Sequence, residues 1–201
     1  MTARLQATWT ISLLLIAAFW LVFALPRSPG WAAGGLALAA LLYLAVMALQ
    51  FGLMQRVNAA DPAPRARFPQ VRRAWWAELG VALRVFCWEQ PFRSRAEPDW
   101  LPTAPTGQRG VVLVHGFLCN RAVWRLWFAP LRAAGHAYEA VNLEPVFGSI
   151  DDYAPSIEAA VQRVHAATGM APVLICHSMG GLAARAWLRT CAGELRVQHV
   201  I

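Results

Sequence analysis

The stretch Val173–Trp187, VLICHSMGGLAARAW, decides the fold of this chain. Its apolar residues lead directly into a serine, Ser178, and a helical pattern rich in small residues follows without a connecting loop. A short apolar strand that turns at once into a helix is typical of sheets in which strands and helices alternate. The arrangement raises the question of why a hydroxyl group stands at so sharp a corner.

The alternation of strand and helix patterns extends along the second half of the chain. Alternating elements of this kind form a parallel sheet with right-handed crossovers and helices on both faces, and catalytic loops lie at the carboxyl ends of its strands. The sequence therefore predicts an α/β domain over residues 110–201. We predict strands at 111–115, 137–143, 172–176 and 196–201, helices at 121–135, 151–169 and 180–191, helix ends at Gly135 and Gly169, and an N-cap pair at Asp151 and Asp152.

The residues around the serine resemble the nucleophile elbow G-x-S-x-G. Such an elbow strains the serine backbone, so its flanking residues must be small; Gly180 meets this requirement, and Cys176, also small, replaces the leading glycine. The hydroxyl then points away from the sheet, beside a helix N-terminus that favours negative charge. We predict that Ser178 is a nucleophile and not a helix N-cap. His177 occupies the variable position of the elbow and should point away from the nucleophile.

A second motif, VHGF at Val114–Phe117, follows the first predicted strand. Gly116 allows a sharp turn, after which the N–H of Phe117 can point toward the same place as the N–H of Met179. Two such donors form an oxyanion hole, which stabilises the negative charge of a tetrahedral intermediate. We predict that His115 and Gly116 shape this loop.

Together the two motifs resemble the first half of an α/β-hydrolase and are most similar to those of bacterial lipases and esterases. The resemblance covers residues 110–201. It implies that Ser178 is the nucleophile, that Phe117 and Met179 are the oxyanion donors, and that the substrate is a small-molecule ester or a lipid, with no cofactor and no metal. Acyl transfer uses the same serine chemistry and stays open.

In this family the acid and the catalytic histidine follow the serine in the chain. Residues 196–201 are similar to the strand that precedes a histidine-containing segment in lipases, so we expect a C-terminally incomplete fold, marginally stable and with little or no turnover. The alternative is a non-catalytic membrane protein or degraded gene that retains a remnant of the hydrolase fold. We do not expect any of the histidines present to replace the missing base: His115, His136, His165, His177 and His199.

The first half of the chain has the composition of a membrane segment. The whole sequence is 58% hydrophobic and 14% charged. Two apolar runs without charge, Trp9–Leu25 and Trp31–Met54, flank a turn of sequence PRSPG, and a membrane-crossing helix needs about 20 apolar residues. We therefore predict a transmembrane hairpin over residues 1–56. A cleaved signal peptide followed by one helix is the alternative for the first run.

The arginines indicate the orientation of this hairpin. The formal net charge is +7, and the turn carries Arg27 alone, whereas several arginines follow the second run. The positive-inside rule then places both ends in the cytoplasm, with the protein in the inner membrane. Residues 71–90 have the spacing of an amphipathic helix, which either lies in the membrane interface or packs on the domain that follows. A proline-rich linker completes the predicted segment 57–109.

Nucleic acid and metal are not indicated as partners. The arginines form no single dense tract, and several flank apolar segments, where arginine anchors helix ends. The four cysteines, Cys87, Cys119, Cys176 and Cys191, are too widely spaced for a paired metal motif or a disulfide framework.

Overall fold

The structure, a computed structural model, describes residues 1–62, 64–104, 106–191 and 196–201. Ala63 and Pro105, in the predicted segment 57–109, and residues 192–195, in the predicted α/β domain, lie outside the described residues. The chain divides into two compact units. One consists of Met1–Ala7 and Trp88–Ile201, and the other is Thr8–Cys87.

Two long helices correspond to the apolar runs. Helix α1 spans Thr2–Ala24 and helix α2 spans Pro29–Val57. Ser28 ends the turn between them, because its side chain caps α2 and Pro29 occupies a position where no N–H is needed. Within the described residues, both helices are long and apolar enough to cross a membrane, and few of their side chains are buried. The two predicted apolar helices are therefore present.

Helix α3, Phe68–Arg84, corresponds to the predicted amphipathic helix and continues through a π-helical turn, Val85–Glu89, and a short turn, Gln90–Phe92. It packs on α2 within the unit Thr8–Cys87: the Tyr43 hydroxyl donates a hydrogen bond to the Leu79 carbonyl oxygen at 2.9 Å. The sequence alone did not identify α2 as this packing partner.

The described residues of the other unit form a parallel sheet of four strands. They are β1 (Val111–Val114), β2 (Tyr138–Ala140), β3 (Val173–Cys176) and β4 (His199–Val200), in the order β2-β1-β3-β4. Val114 pairs with Cys176, so β1 and β3 end at the same edge. The VHGF and elbow motifs therefore leave the sheet side by side, as the sequence predicts.

Helices cover both faces of this sheet. They are α4 (Arg125–Ala133), α5 (Ala154–Thr168) and α6 (Met179–Thr190). Alternate residues of β1 point to opposite faces: Val112 packs with α5 and α6, whereas Leu113 packs with Phe128 of α4. The predicted parallel α/β architecture, preceded by two apolar helices, is confirmed.

The start of α5 differs from the prediction. A turn of 3-10 helix, Ile150–Tyr153, precedes α5, and its cap is Ser149, whose N–H donates to Asp152 Oδ2 at 2.9 Å. Asp151 instead pairs with Arg189 at 2.6 Å. The prediction of an aspartate N-cap pair is wrong, because the serine just before the helical turn supplies the capping oxygen. Gly169 ends α5 in the left-handed conformation, as predicted.

The proline-rich segment before β1 contacts the sheet. Trp100 and Tyr138 exchange backbone hydrogen bonds at 3.0 and 2.9 Å, which extends the edge beside β2. Arg121, buried beneath this segment, binds the Asp99 carboxylate at 2.6 Å. Part of the predicted linker is thus folded as a part of the unit that contains the sheet.

Candidate active site

Ser178 occupies a strained corner between β3 and α6. Its backbone has φ 54° and ψ −123°, a conformation that costs a residue with a side chain about 1–3 kcal/mol and that clusters at functional sites. Its side chain is exposed and makes no capping hydrogen bond to α6. The serine hydroxyl therefore has no structural role as an N-cap.

Gly180 makes this corner possible. A Cβ atom at Gly180 would lie 2.6 Å from the Val114 carbonyl oxygen and 2.7 Å from that of His115, because α6 begins directly against the end of β1. A Cβ atom at Gly181 would meet nothing within 4 Å. Of the two adjacent glycines, the first is required by the close approach of two backbones.

Cys176 takes the place of the leading glycine of the elbow. Its N–H donates to the Ile201 carbonyl oxygen at 2.7 Å, and burial raises the pKa of its thiol to about 11. The thiol is therefore protonated at neutral pH and is a poor nucleophile. The next residue, His177, donates its backbone N–H to the Val114 carbonyl oxygen at 2.9 Å and has an exposed side chain.

The VHGF loop passes close to the serine. A Cβ atom at Gly116 would lie 3.1 Å from Ser178 Cβ and 2.9 Å from His177 Nδ1. A larger residue at this position would push the loop away from the elbow. Gly116 thus keeps Phe117, the next residue, near Ser178.

The direction of the Phe117 N–H is fixed through its own peptide group. The Gly116 carbonyl oxygen accepts hydrogen bonds from His115 Nδ1 at 2.8 Å and from the Cys119 N–H at 3.2 Å. Because the peptide is planar and trans, the Phe117 N–H points opposite to that oxygen. In the described part of the chain, the N–H groups of Phe117 and Met179 have no hydrogen-bond acceptor, so both are available to a ligand.

His115 is a structural residue of this loop. Its side chain is 2% exposed, and Nε2 accepts the Leu143 N–H at 3.0 Å, so Nδ1 carries the proton that binds Gly116. Burial lowers the pKa of His115, which keeps the ring neutral. The ring links the loop after β1 to the loop after β2 and is not available as a base.

Residues 111–200, which contain the sheet, the elbow and the VHGF loop, match the model of the alpha/beta hydrolase family. This part of the chain is therefore similar to that family and has its parallel-sheet fold. No curated protein matches the chain significantly.

Residues 111–200, which match the family model, are called the hydrolase segment below. Within its described residues, no histidine hydrogen-bonds to Ser178 Oγ. The His115 ring is held by Leu143 and Gly116, and His136 Nδ1 lies 2.8 Å from the Arg109 carbonyl oxygen. His165 and His199 are exposed on α5 and β4. The same residues contain no cluster of three side chains able to bind a metal ion. They supply an exposed serine at a strained corner and two free N–H donors, and no histidine in contact with the serine hydroxyl.

Apolar side chains surround the loop of the hydrolase segment that approaches Ser178. Phe117 and Phe147 are 48% and 76% exposed, and their rings meet edge to face with centroids 5.9 Å apart. Leu118, beside them in the chain, is 42% exposed. No sequence motif marks Leu118 or Phe147. The position of Phe147 in the loop after β2 was the available signal, since strand-end loops of a parallel sheet gather at one edge.

Proposed function

We propose that this protein is a membrane-anchored serine hydrolase of carboxylic esters, similar to lipases and esterases. Ser178 is its nucleophile, and the N–H groups of Phe117 and Met179 are its oxyanion donors. One observation carries the proposal: Ser178 has a strained backbone, an exposed hydroxyl and no capping hydrogen bond. A fold alone does not establish an activity, but a strained serine beside two free N–H groups supports acyl chemistry.

The chemistry follows from these groups. Ser178 Oγ attacks the ester carbonyl carbon, and the negative charge that develops on the carbonyl oxygen is stabilised by the two N–H groups and the N-terminus of α6. The alcohol leaves with a proton, and water then releases the acid from the acyl-enzyme. A base must remove the proton from Oγ, because a free serine hydroxyl is a weak nucleophile at neutral pH. The described residues bring no histidine to that atom.

The surroundings of the loop favour an apolar substrate. Phe117, Leu118 and Phe147 present hydrocarbon surface, and burial of such surface against an acyl chain contributes about 25 cal/mol per Å². The two candidate membrane helices would keep this surface near lipid esters. Acyl transfer begins with the same acyl-enzyme, and the ratio of ester to acid formed in the presence of an added alcohol distinguishes the two reactions.

The proposal includes a location: the inner membrane, with the hydrolase segment in the cytoplasm. Residues 1–7 belong to the same compact unit as 88–201, and the Thr2 N–H donates to Glu144 Oε1 at 3.0 Å. The two candidate spans, Thr2–Ala24 and Pro29–Ala60, begin at Thr2 and end before residue 88, so two crossings would return the chain to the side where it starts. The arginines after the second span favour the cytoplasm as that side.

A second candidate function is a non-catalytic membrane protein that retains the hydrolase fold. The observation that favours it is the lack of a histidine contact to Ser178 Oγ within the described residues. For the same reason, we expect the 201-residue chain to show little or no turnover by itself.

Added imidazole, a small diffusible base, separates the two candidates. The purified 201-residue chain in detergent is assayed with p-nitrophenyl butyrate, with and without imidazole, beside Ser178→Ala and the control Ser156→Ala. We expect imidazole to induce hydrolysis in the unaltered chain and in Ser156→Ala, above the rate with Ser178→Ala. Equal rates in all three proteins would reject the hydrolase and favour the non-catalytic protein. Ser178-dependent turnover without imidazole would support the hydrolase and contradict the expected inactivity.

A further inference from the structure

Two glutamines that are distant in sequence meet on the loop after β1. Gln6 Nε2 donates to the Leu118 carbonyl oxygen at 2.8 Å, and Gln90 Oε1 accepts the Asn120 N–H at 2.8 Å. Both glutamines belong to the unit formed by Met1–Ala7 and Trp88–Ile201. We propose that Gln6 and Gln90 are positioning residues of the oxyanion hole, which hold the loop so that the Phe117 N–H faces Ser178. The catalytic part of this inference rests on the proposed function.

Asn120 joins the two glutamines into one network. Its Nδ2 donates to Gln6 Oε1 at 2.9 Å and to the Gln90 carbonyl oxygen at 2.8 Å, and its Oδ1 accepts the Ala122 N–H at 3.0 Å. Asn120 is 2% exposed and Gln90 is completely buried. Within the described residues Gln90 Nε2 has no hydrogen-bond partner, so Gln90 contributes through its Oε1 and its carbonyl oxygen. Breaking these bonds would leave further buried polar groups unpaired, so the network stabilises the observed arrangement of the loop.

The network reaches Phe117 through two rigid peptide groups. Gln6 binds the Leu118 carbonyl oxygen, which belongs to the same peptide group as the Cys119 N–H. The Cys119 N–H donates to the Gly116 carbonyl oxygen at 3.2 Å. The Gly116 carbonyl oxygen belongs to the same peptide group as the Phe117 N–H. Since each peptide is planar, the direction of one end determines the direction of the other. The Gln6 side chain thus contributes to the orientation of the oxyanion donor.

The loop needs these contacts because its own backbone is strained. Leu118 has φ 55°, in the left-handed region that residues with a side chain rarely adopt. A loop released from its partners relaxes toward ordinary backbone angles, which moves the neighbouring peptides. Gln6 lies in the first turns of α1, the helix that is the first candidate membrane span. The N-terminal segment is therefore part of the scaffold of the active-site loop as well as an anchor.

A cysteine inside the loop reports on its closure without any need for catalysis. Cys119 and Cys191 are each 5% exposed, so Cys191, on the far end of α6, is a matched reference in the same molecule. The folded protein is treated with iodoacetamide, and the alkylation rate of each cysteine is followed by peptide mass spectrometry. The variants are Gln6→Met and Gln90→Met, with Gln162→Met, at an exposed position of α5, as the control.

We expect the ratio of Cys119 to Cys191 alkylation to rise about tenfold in Gln6→Met and Gln90→Met, because loss of a hydrogen bond increases the population of the open loop. Gln162→Met should match the unaltered protein. Gln6→Glu keeps the acceptor for Asn120 but loses the donor to Leu118, and should also raise the ratio. An unchanged ratio in all the Gln6 and Gln90 variants would overturn the proposal. An equal rise at both cysteines in every variant would also overturn it, since the glutamines would then stabilise the whole unit.

The imidazole-dependent hydrolysis assay adds a catalytic measurement. An oxyanion donor acts in the transition state, so Gln6→Met should lower kcat about tenfold or more and leave KM unchanged. Hydrolysis with unaltered kcat in Gln6→Met and Gln90→Met would reject the positioning role while the proposed function stands. Loop opening in a protein without Ser178-dependent hydrolysis would reject the proposed function while the structural role of the glutamines stands.

Discussion

The buried ring of His115 accepts a hydrogen bond from the Leu143 N–H at 3.0 Å, and this bond ties the loop after β1 to the loop after β2. It requires Nε2 to be unprotonated, while Nδ1 donates to the Gly116 carbonyl oxygen. A protonated ring would replace the acceptor by a second donor that faces the Leu143 N–H. The neutral ring is therefore a condition for the shape of the candidate oxyanion hole.

The first prediction concerns the pH dependence of stability. Unfolded histidine takes up a proton near pH 6.5, whereas burial lowers the pKa of folded His115. The unfolded state thus binds more protons below about pH 6.5, so the free energy of unfolding falls as the pH drops from that value toward the lowered pKa. Denaturation by urea at pH 7.5 to 5 measures this slope in the unaltered protein and in His115→Asn. We expect the slope to be shallower in His115→Asn.

Asn in place of His115 keeps a donor near Gly116 but has no titratable ring. We expect the His115→Asn protein to be less stable than the unaltered protein at pH 7.5, and its free energy of unfolding to depend less on pH. His165→Asn, at an exposed position of α5, is the control and should retain the slope of the unaltered protein. Identical slopes for His115→Asn and the unaltered protein would contradict the assignment of a buried neutral ring.

The second prediction compares the two glycines after the serine. Gly180→Ala places a Cβ atom against the backbone of β1, and we expect it to destabilise the protein by about 2–3 kcal/mol, as an overpacked core does. Gly181→Ala meets open space within a helix and should be neutral or stabilising by up to about 1 kcal/mol. Urea denaturation measures both. Equal effects of the two substitutions would contradict the close contact between Gly180 and the backbone of β1.

The third prediction concerns the strain at Ser178. Glycine adopts φ 54°, ψ −123° more readily than residues with a side chain, so Ser178→Gly should raise the free energy of unfolding by about 1 kcal/mol relative to Ser178→Ala. Both variants lack the hydroxyl, so the comparison isolates the backbone. Denaturant midpoints of the two proteins provide the measurement. A less stable glycine variant would mean that Ser178 is not strained.

The fourth prediction concerns topology. Reporter fusions after Arg67 and after Gly110 should both indicate the cytoplasm, because two candidate spans precede each site and arginines follow the second span. A fusion within the turn at Arg27 is the matched control and should report the opposite side. A periplasmic signal after Gly110 would reverse the proposed orientation.

The sequence by itself determined the class of fold and the position of the sharp corner at Ser178. Apolar runs that alternate with helical patterns indicate a parallel sheet, and the glycine after Ser178 indicates a tight corner, because both follow from local backbone preferences. The length and composition of the apolar runs in α1 and α2 are enough to mark them as candidate membrane spans. These features depend on residues close together in the chain, which is why they can be read from it.

Tertiary structure alone decided the features that depend on distant partners. The capping role of Ser149, the packing of α3 on α2 and the buried neutral state of His115 each require knowledge of which groups meet. The network of Gln6, Gln90 and Asn120 joins the beginning of the chain to the loop after β1, and no local pattern marks it. Hydrogen bonds between side chain and backbone have no sequence period, so they become visible only when the folded chain brings their donors and acceptors together.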